Sequence, residues 1–97
     1  MTDHKRYVLR LYIAGLTLEN QQEIIHLKQK IKEETNDDYQ LEVIDIFEFP
    51  ALAEGDKIIA TPTILRKLPT PVKQVILNFN DKENLLLGMD LLLEEES

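Results

Sequence analysis

The chain has 97 residues, of which 43% are hydrophobic and 30% charged, a composition typical of one small soluble domain. It has no cysteine, which excludes disulfides, thiolate metal sites and thiol catalysis. The formal net charge is −7 and the cations are scattered, so we expect no nucleic-acid partner. No apolar run approaches the length of a membrane span, and no signal-peptide pattern begins the chain. We expect a single cytoplasmic domain over residues 1–97.

The first predicted element is a strand over Tyr7–Ile13. One face carries Tyr7, Leu9, Leu11 and Ile13, and the other carries Val8, Arg10 and Tyr12. A strand that is apolar on both faces is typical of the centre of an α/β sheet.

A helix is predicted to follow, capped by Thr17 and ended by Asn36-Asp37-Asp38. Its apolar stripe consists of Ile24, Ile25, Leu27 and Ile31.

A second strand is predicted over Tyr39–Ile46. A strand–helix–strand unit of this length indicates a right-handed crossover, so the two strands should be parallel. A short helix should then run from Phe49 to Gly55, with Pro50 in its first turn and Gly55 as its stop.

The segment Asp56–Pro71 holds three of the four prolines. Because proline has no backbone N–H, Pro62 should lie at a strand start, a sheet edge or a turn. Two interpretations stay open: a proline-rich loop, or a cis-proline at the start of a strand. Strand, helix, strand, short helix and then a proline segment is the order of a thioredoxin-like domain.

The last third of the sequence does not predict a single pattern of secondary structure. A strand is predicted over Val72–Phe79, and Asn80 or Asp81 can cap a helix that begins near Lys82. The run Leu85–Leu93 satisfies both the helical and the strand period. Gly88 within it costs a helix ~1 kcal/mol relative to alanine.

Few residues suggest chemistry. His4 and His26 stand alone, and the only serine is Ser97. The three glycines are too widely separated for a phosphate loop. Thioredoxin-like redox enzymes carry cysteines after the first strand, where this chain has Ala14-Gly15-Leu16-Thr17. We therefore expect no catalytic, cofactor or metal site.

Four cations lie near the proline segment of this acidic chain: Lys57, Arg66, Lys67 and Lys73. They indicate either a surface for an acidic partner or dispersed solubilising charge.

Four sequence stretches carry a resemblance to a known family: LYIAG, LEVIDI, LAEGDKIIATPTILRKLPTPV and LLLGMDLLLEE. Together they resemble the KaiB family over Tyr7–Glu95. The resemblance implies a non-enzymatic partner of KaiC, a hexameric ATPase and autokinase. It also implies two folds: a self-associated dimer or tetramer with the order βαββααβ, and a monomer with the thioredoxin-like order βαβαββα that binds KaiC.

The resemblance further implies that the carboxy-terminal half refolds between these states. The proline cluster (Pro62, Pro69, Pro71) and Leu85–Leu93 fall in that half, and Tyr7, Gly88 and Asp90 match family positions that balance the two folds.

The chain also departs from the family's clock members. They often have three consecutive prolines at Pro69-Thr70-Pro71, an arginine pair at Lys73-Gln74 and a basic residue at Glu42. The Glu42 change makes binding to KaiA, the third oscillator protein, doubtful. A role in stress adaptation is as consistent with the sequence as a role in a clock.

Two other functions stay open. One is the thioredoxin-like sensor domain of a KaiC-responsive histidine kinase, against which Gly88 and Asp90 count. The other is a redox-dead thioredoxin-like adaptor.

Overall fold

A computed structural model describes residues 5–81. The elements in chain order are β1 (Tyr7–Ile13), α1 (Leu18–Thr35), β2 (Tyr39–Asp45), α2 (Pro50–Gly55), β3 (Thr63–Leu68) and β4 (Lys73–Ile76). The first four elements were predicted within one residue at each end. The predicted helix near Lys82 and the run Leu85–Leu93, with Gly88 and Asp90, lie outside the described residues.

The four strands form one sheet in the order β2-β1-β3-β4. β1 pairs in parallel with β2, as predicted, and antiparallel with β3, which is antiparallel to β4. β1 is therefore central. Of the two arrangements that the sequence leaves open, the described residues have the thioredoxin-like one, because α2 separates β2 from β3 and β4 follows β3 directly.

One face of the sheet packs against α1. Leu27 and Ile31 of the helix are fully buried, and Ile24 is 8% exposed, in one core cluster with Tyr7, Leu9, Leu11 and Ile13 of β1. Ile25 does not join this stripe: its side chain is 63% exposed. One helical step rotates a side chain by about 100°, and that step takes Ile25 from the core side to the solvent side.

The predicted ends of α1 are confirmed. The Thr17 hydroxyl accepts a hydrogen bond of 3.1 Å from the Asn20 backbone N–H. Asn36 ends the helix in the left-handed region, with φ 56°, and its N–H donates to the Lys32 carbonyl. Asparagine adopts this conformation more readily than most residues, which explains why the helix ends here.

The predicted end of α2 at Gly55 is confirmed. Gly55 is the last helical residue, and the left-handed residue is Lys57, with φ 57°. Residues 58–60 form no strand although they are apolar. The Thr61–Pro62 bond directly before β3 is cis, which confirms the cis-proline strand start; the Leu68–Pro69 and Thr70–Pro71 bonds are also cis.

β4 is shorter than the predicted Val72–Phe79. It pairs with β3 from Arg66↔Lys73 to Thr63↔Ile76. Beyond Ile76 the facing residue is Pro62, which has no N–H to donate, although its carbonyl accepts from Leu77 N–H at 2.8 Å. The ladder therefore stops while Leu77, 7% exposed, still packs in the core.

Replacing Leu27 by alanine should lower the free energy of unfolding by about 2–5 kcal/mol, because it opens a cavity in the α1–β1 core. Ile25→Ala removes an apolar side chain from the same helix at an exposed position and should cost less than about 1 kcal/mol. Urea unfolding of both variants measures the difference, and equal losses would contradict this packing.

Candidate functional site

The face of the sheet opposite α1 carries a charged cluster centred on Asp56, the residue that follows α2. Tyr12 of β1 donates its hydroxyl hydrogen to Asp56 Oδ2. Arg10 Nη1 lies 3.1 Å from the same oxygen, and Lys67 Nζ lies 3.9 Å from Oδ1. Arg10 Nε also donates to Glu42 Oε1 at 2.9 Å. We call these five residues the Asp56 cluster.

The Asp56 cluster and the neighbouring Gln74 together connect every strand of the described sheet to the end of α2. Arg10 and Tyr12 belong to β1, Glu42 to β2 and Lys67 to β3. From β4, Gln74 Nε2 donates to the backbone carbonyl of Asp56 at 3.1 Å. The Tyr12 side chain is fully buried, and its hydroxyl lies 2.9 Å from the Leu52 carbonyl in α2. The cluster therefore fixes the loop that leads from α2 to the proline segment.

The contacts within the cluster move the pKa values of Asp56 and Tyr12 away from neutral pH. Burial alone would raise the pKa of Asp56, but the hydrogen bond from Tyr12 and the positive charges of Lys67 and Arg10 outweigh it, so the pKa is lowered. Burial and the neighbouring Asp56 carboxylate raise the pKa of Tyr12. An ionised acid beside a neutral phenol stabilises structure but exchanges no proton near pH 7.

The four predicted interface cations do not form one patch. Arg66 faces Leu9 and Lys73 in the β1–β3–β4 registers, so it lies on the α1 side of the sheet. Lys67 reaches Asp56 on the opposite side. Adjacent residues of a strand point to opposite faces, which separates cations that are neighbours in sequence.

Arg66 corrects the prediction most clearly. Its side chain is buried, at 4% exposed, and its Nη2 donates to the Pro71 carbonyl at 2.9 Å. It therefore holds the turn between β3 and β4 from inside the protein and is not part of the free surface. Lys57 is exposed, and Lys67 and Lys73 are partly exposed.

The residues of the Asp56 cluster other than Lys67 were not predicted as a site. One signal for them existed: Arg10 interrupts an otherwise apolar central strand, where an unpaired charge is costly. The sequence could not indicate its partner, because Asp56 lies 46 positions away.

The end of β1, where thioredoxin-like enzymes carry cysteines, is a tight turn. Gly15 has φ 95°, a conformation that side chains disfavour. Asp45 Oδ1 accepts from the N–H groups of Gly15 and Phe47, both at 3.0 Å. This turn presents no nucleophile.

His26 is exposed. Over residues 5–81, no cluster of His, Cys, Asp and Glu side chains is arranged to hold a metal ion. Neither described helix combines the length and the apolarity needed to cross a membrane.

Comparison with known protein families identifies the family of this chain. Residues 10–91 match the model of the KaiB domain. The chain belongs to the KaiB family. A KaiB named as a circadian clock oscillator protein from Microcystis aeruginosa is 47% identical over 94% of this chain and 88% of its own length. One from Nostoc punctiforme is 46% identical over 96% of this chain and 89% of its own length.

Solved structures with the same fold are more distant in sequence. The N-terminal domain of SasA from Synechococcus elongatus superposes with a TM-score of 0.68 at 18% identity, covering 93% of this chain and 85% of that one. Mitochondrial thioredoxin 3 from Saccharomyces cerevisiae also gives 0.68 at 18% identity, over 91% and 80% of the two chains. These likenesses show a thioredoxin-like fold for this KaiB-family chain.

Asp56→Asn should lower the free energy of unfolding at neutral pH by about 2 kcal/mol, because it weakens charged hydrogen bonds in a mostly buried cluster. The folded-state pKa of Asp56 lies below its ordinary value of 3.8. Its contribution is therefore complete above that value and is lost as the pH falls through the folded-state pKa. The stability difference between wild type and variant should shrink over this acidic range.

Urea unfolding at a series of pH values measures this effect. Glu54→Gln is the matched control, since the exposed Glu54 carboxylate has no side-chain hydrogen bond to the described part of the chain. A pH-independent difference for Asp56→Asn, or an equal loss in the control, would rule out the ionised cluster as a source of stability.

Proposed function

We propose that this chain is a non-enzymatic regulatory protein that binds a KaiC-like hexameric ATPase and autokinase and modulates its phosphorylation state. The observation that carries the proposal is the thioredoxin-like order of the described residues in a member of the KaiB family. This is the arrangement that the family resemblance associates with binding to the ATPase ring. The process served is a circadian clock or a related stress adaptation.

A regulatory role also agrees with the chemistry of the chain. It has no cysteine, and the turn Ala14–Thr17 occupies the position of a redox centre. The charged residues of the Asp56 cluster are mutually neutralising partners. A protein of this kind acts through its surface.

The proposed contact surface lies beside the Asp56 cluster and includes Lys57 and Lys67, whereas Lys73 faces Arg66 on the α1 side of the sheet. Lys57 follows α2 in an exposed left-handed turn, and 37% of the Lys67 side chain is exposed despite its contact with Asp56. These cations suit acidic groups on a partner. Arg66 does not contribute to this surface, because it holds the turn between β3 and β4 from inside the protein.

Combining Lys57→Glu with Lys67→Gln should weaken binding to the KaiC-like ATPase of the same host at least tenfold, because both cations lose their attraction to an acidic partner. Titration calorimetry or a quantitative pull-down measures the affinity, and circular dichroism checks that the variant is folded.

The matched control combines Lys28→Glu with Lys32→Gln on α1, which changes the net charge equally on the opposite side of the sheet. Wild-type affinity in the first variant would remove these cations from the interface. Equal weakening in both would mean that net charge, and no particular surface, controls binding.

We also propose a second, self-associated arrangement, a dimer or tetramer, balanced against the described one by Tyr7, Gly88, Asp90 and the prolines at positions 62, 69 and 71. Tyr7 is 5% exposed in the α1–β1 core and lies beneath the Arg6 guanidinium, 5.2 Å from its ring centre. A residue so placed stabilises the amino-terminal half in the described arrangement.

Gly88→Ala with Asp90→Arg should favour the thioredoxin-like monomer, since alanine removes a helix penalty of ~1 kcal/mol. A shift of a few kcal/mol exchanges the major and minor states of a two-state protein. Two-dimensional NMR and light scattering of both proteins measure the fold and the mass. Identical spectra and masses would show that these two positions do not control the balance.

The proposal does not include KaiA. Glu42, where clock members tend to carry a basic residue, is 51% exposed on the edge strand β2 and is paired with Arg10. A role as a kinase sensor domain gains no support from the SasA likeness, because 18% identity shows the fold alone.

A further inference from the structure

Two adjoining hollows lie between α1 and β2, the edge strand of the described sheet, and Ile25 lines both of them. The larger, of about 410 Å³, is lined by Leu16, Gln21, Ile24, Ile25 and Val43. The smaller, of about 250 Å³, is lined by Ile25, Lys28, Gln29, Lys32 and Tyr39. We call the two together the α1–β2 groove. Val43 and Tyr39 are four residues apart on β2, so the groove extends over about 13 Å.

The lining of the α1–β2 groove changes from apolar to cationic along its length. Near the start of α1, Leu16 is 52% exposed, and Ile25, where the two hollows meet, is 63% exposed. A ligand that covers these side chains removes apolar surface from water, which is favourable. Towards the end of α1, Lys28 and Lys32 are four residues apart and therefore lie on the same face of the helix.

These two lysines are not neutralised by the part of the chain that the structure describes. Neither makes an ion pair with any residue from 5 to 81, although the sequence has 18 acidic residues. Like charges four residues apart on a helix repel each other. An anion between Lys28 and Lys32 would replace this repulsion by attraction.

Tyr39 adds a hydrogen-bond donor at the cationic end of the groove. Burial and the nearby Asp37 carboxylate raise the pKa of Tyr39, so the phenol keeps its proton at neutral pH. Two acids lie near this end: Asp37, and Glu33, which accepts from the Gln29 side chain at 3.3 Å. Neither of them lines the hollow, so the lysines and the phenol face a bound group directly.

These features together fit one small amphiphile. Binding pockets for small molecules are mostly apolar, with a few polar groups that fix the orientation of the ligand. A carboxylate accepts hydrogen bonds from ammonium groups and from a phenol, and such charged hydrogen bonds are strong. An inorganic anion would leave the apolar end uncovered, and a hydrocarbon would leave the two lysines without a counter-charge.

We propose that the α1–β2 groove binds the anion of a medium-chain fatty acid. The carboxylate lies between Lys28 and Lys32, and the alkyl chain extends past Ile25 towards Leu16 and Val43. The site is on the α1 side of the sheet, opposite the lysine surface proposed for the ATPase, and its test does not depend on that function.

The test titrates the full chain with decanoate at neutral pH, below the concentration at which decanoate forms micelles. We expect saturable changes in the NMR amide resonances of Leu16, Ile25 and Val43. Decanol has the same alkyl chain without the charge and should bind about tenfold more weakly. Acetate, which lacks the chain, should cause no saturable change.

Two double variants locate the carboxylate. Lys28→Gln with Lys32→Gln should weaken decanoate about tenfold and leave the affinity for decanol unchanged, a difference that general loss of structure would not produce. The matched control combines Lys5→Gln with Lys57→Gln, which removes the same charge from exposed positions outside the groove. The control should bind decanoate as the wild type does, and circular dichroism checks that both variants are folded.

The proposal is rejected if decanoate causes no saturable change before micelles form, if decanol binds equally tightly, or if both double variants lose affinity equally. Changes confined to residues outside the groove would reject it as well. A parallel titration uses vesicles of phosphatidylglycerol. Binding to these vesicles without binding to decanoate would identify a membrane-facing surface and would also reject the fatty-acid site.

Discussion

The carboxylate of Asp56 is the constraint on which the second face of the sheet depends. Arg10 and Tyr12 place a cation and a hydroxyl in the centre of β1, where burial is costly unless both are bonded. Asp56 satisfies both, with Glu42 sharing the guanidinium. Because Asp56 directly follows α2, its hydrogen bonds with Arg10 and Tyr12 also determine where the chain must enter β3. On the α1 side most contacts are apolar, and among the described residues Arg66 is the buried charged residue that needs a partner, the Pro71 carbonyl.

Most of the fold was predictable because its elements depend on local patterns. A few neighbouring residues determine each of these features: the alternation in β1, the cap at Thr17 and the left-handed end of α1 at Asn36. Errors arose where pairing or geometry over longer distances decides. β4 ends opposite Pro62, which has no N–H to donate to it, and the left-handed conformation of Lys57 has no signature in the sequence.

The candidate site was less predictable, for a related reason. Arg66 and Lys67 are adjacent in sequence, and their shared charge suggested one surface. Strand alternation turns Arg66 into the interior, while Lys67 reaches Asp56 on the other face. The period of a strand shows that adjacent side chains point to opposite faces of the sheet. Which of the two cations is buried depends on the register of β3 with Leu9 and on the turn carbonyl of Pro71. Neither is visible before the sheet is assembled.

The register between β1 and β3 has a consequence for the behaviour of the chain in concentrated solution. Val8 faces Leu68 whereas Leu9 faces Arg66, so Lys67 is an extra residue that forms a bulge. β4 pairs only with Thr63–Arg66, which leaves the far end of β3 with one neighbouring strand in the described chain. An open strand edge is a template for aggregation. Here the bulge, a lysine and then Pro69 and Pro71, which have no N–H, make that edge a poor template for a second molecule.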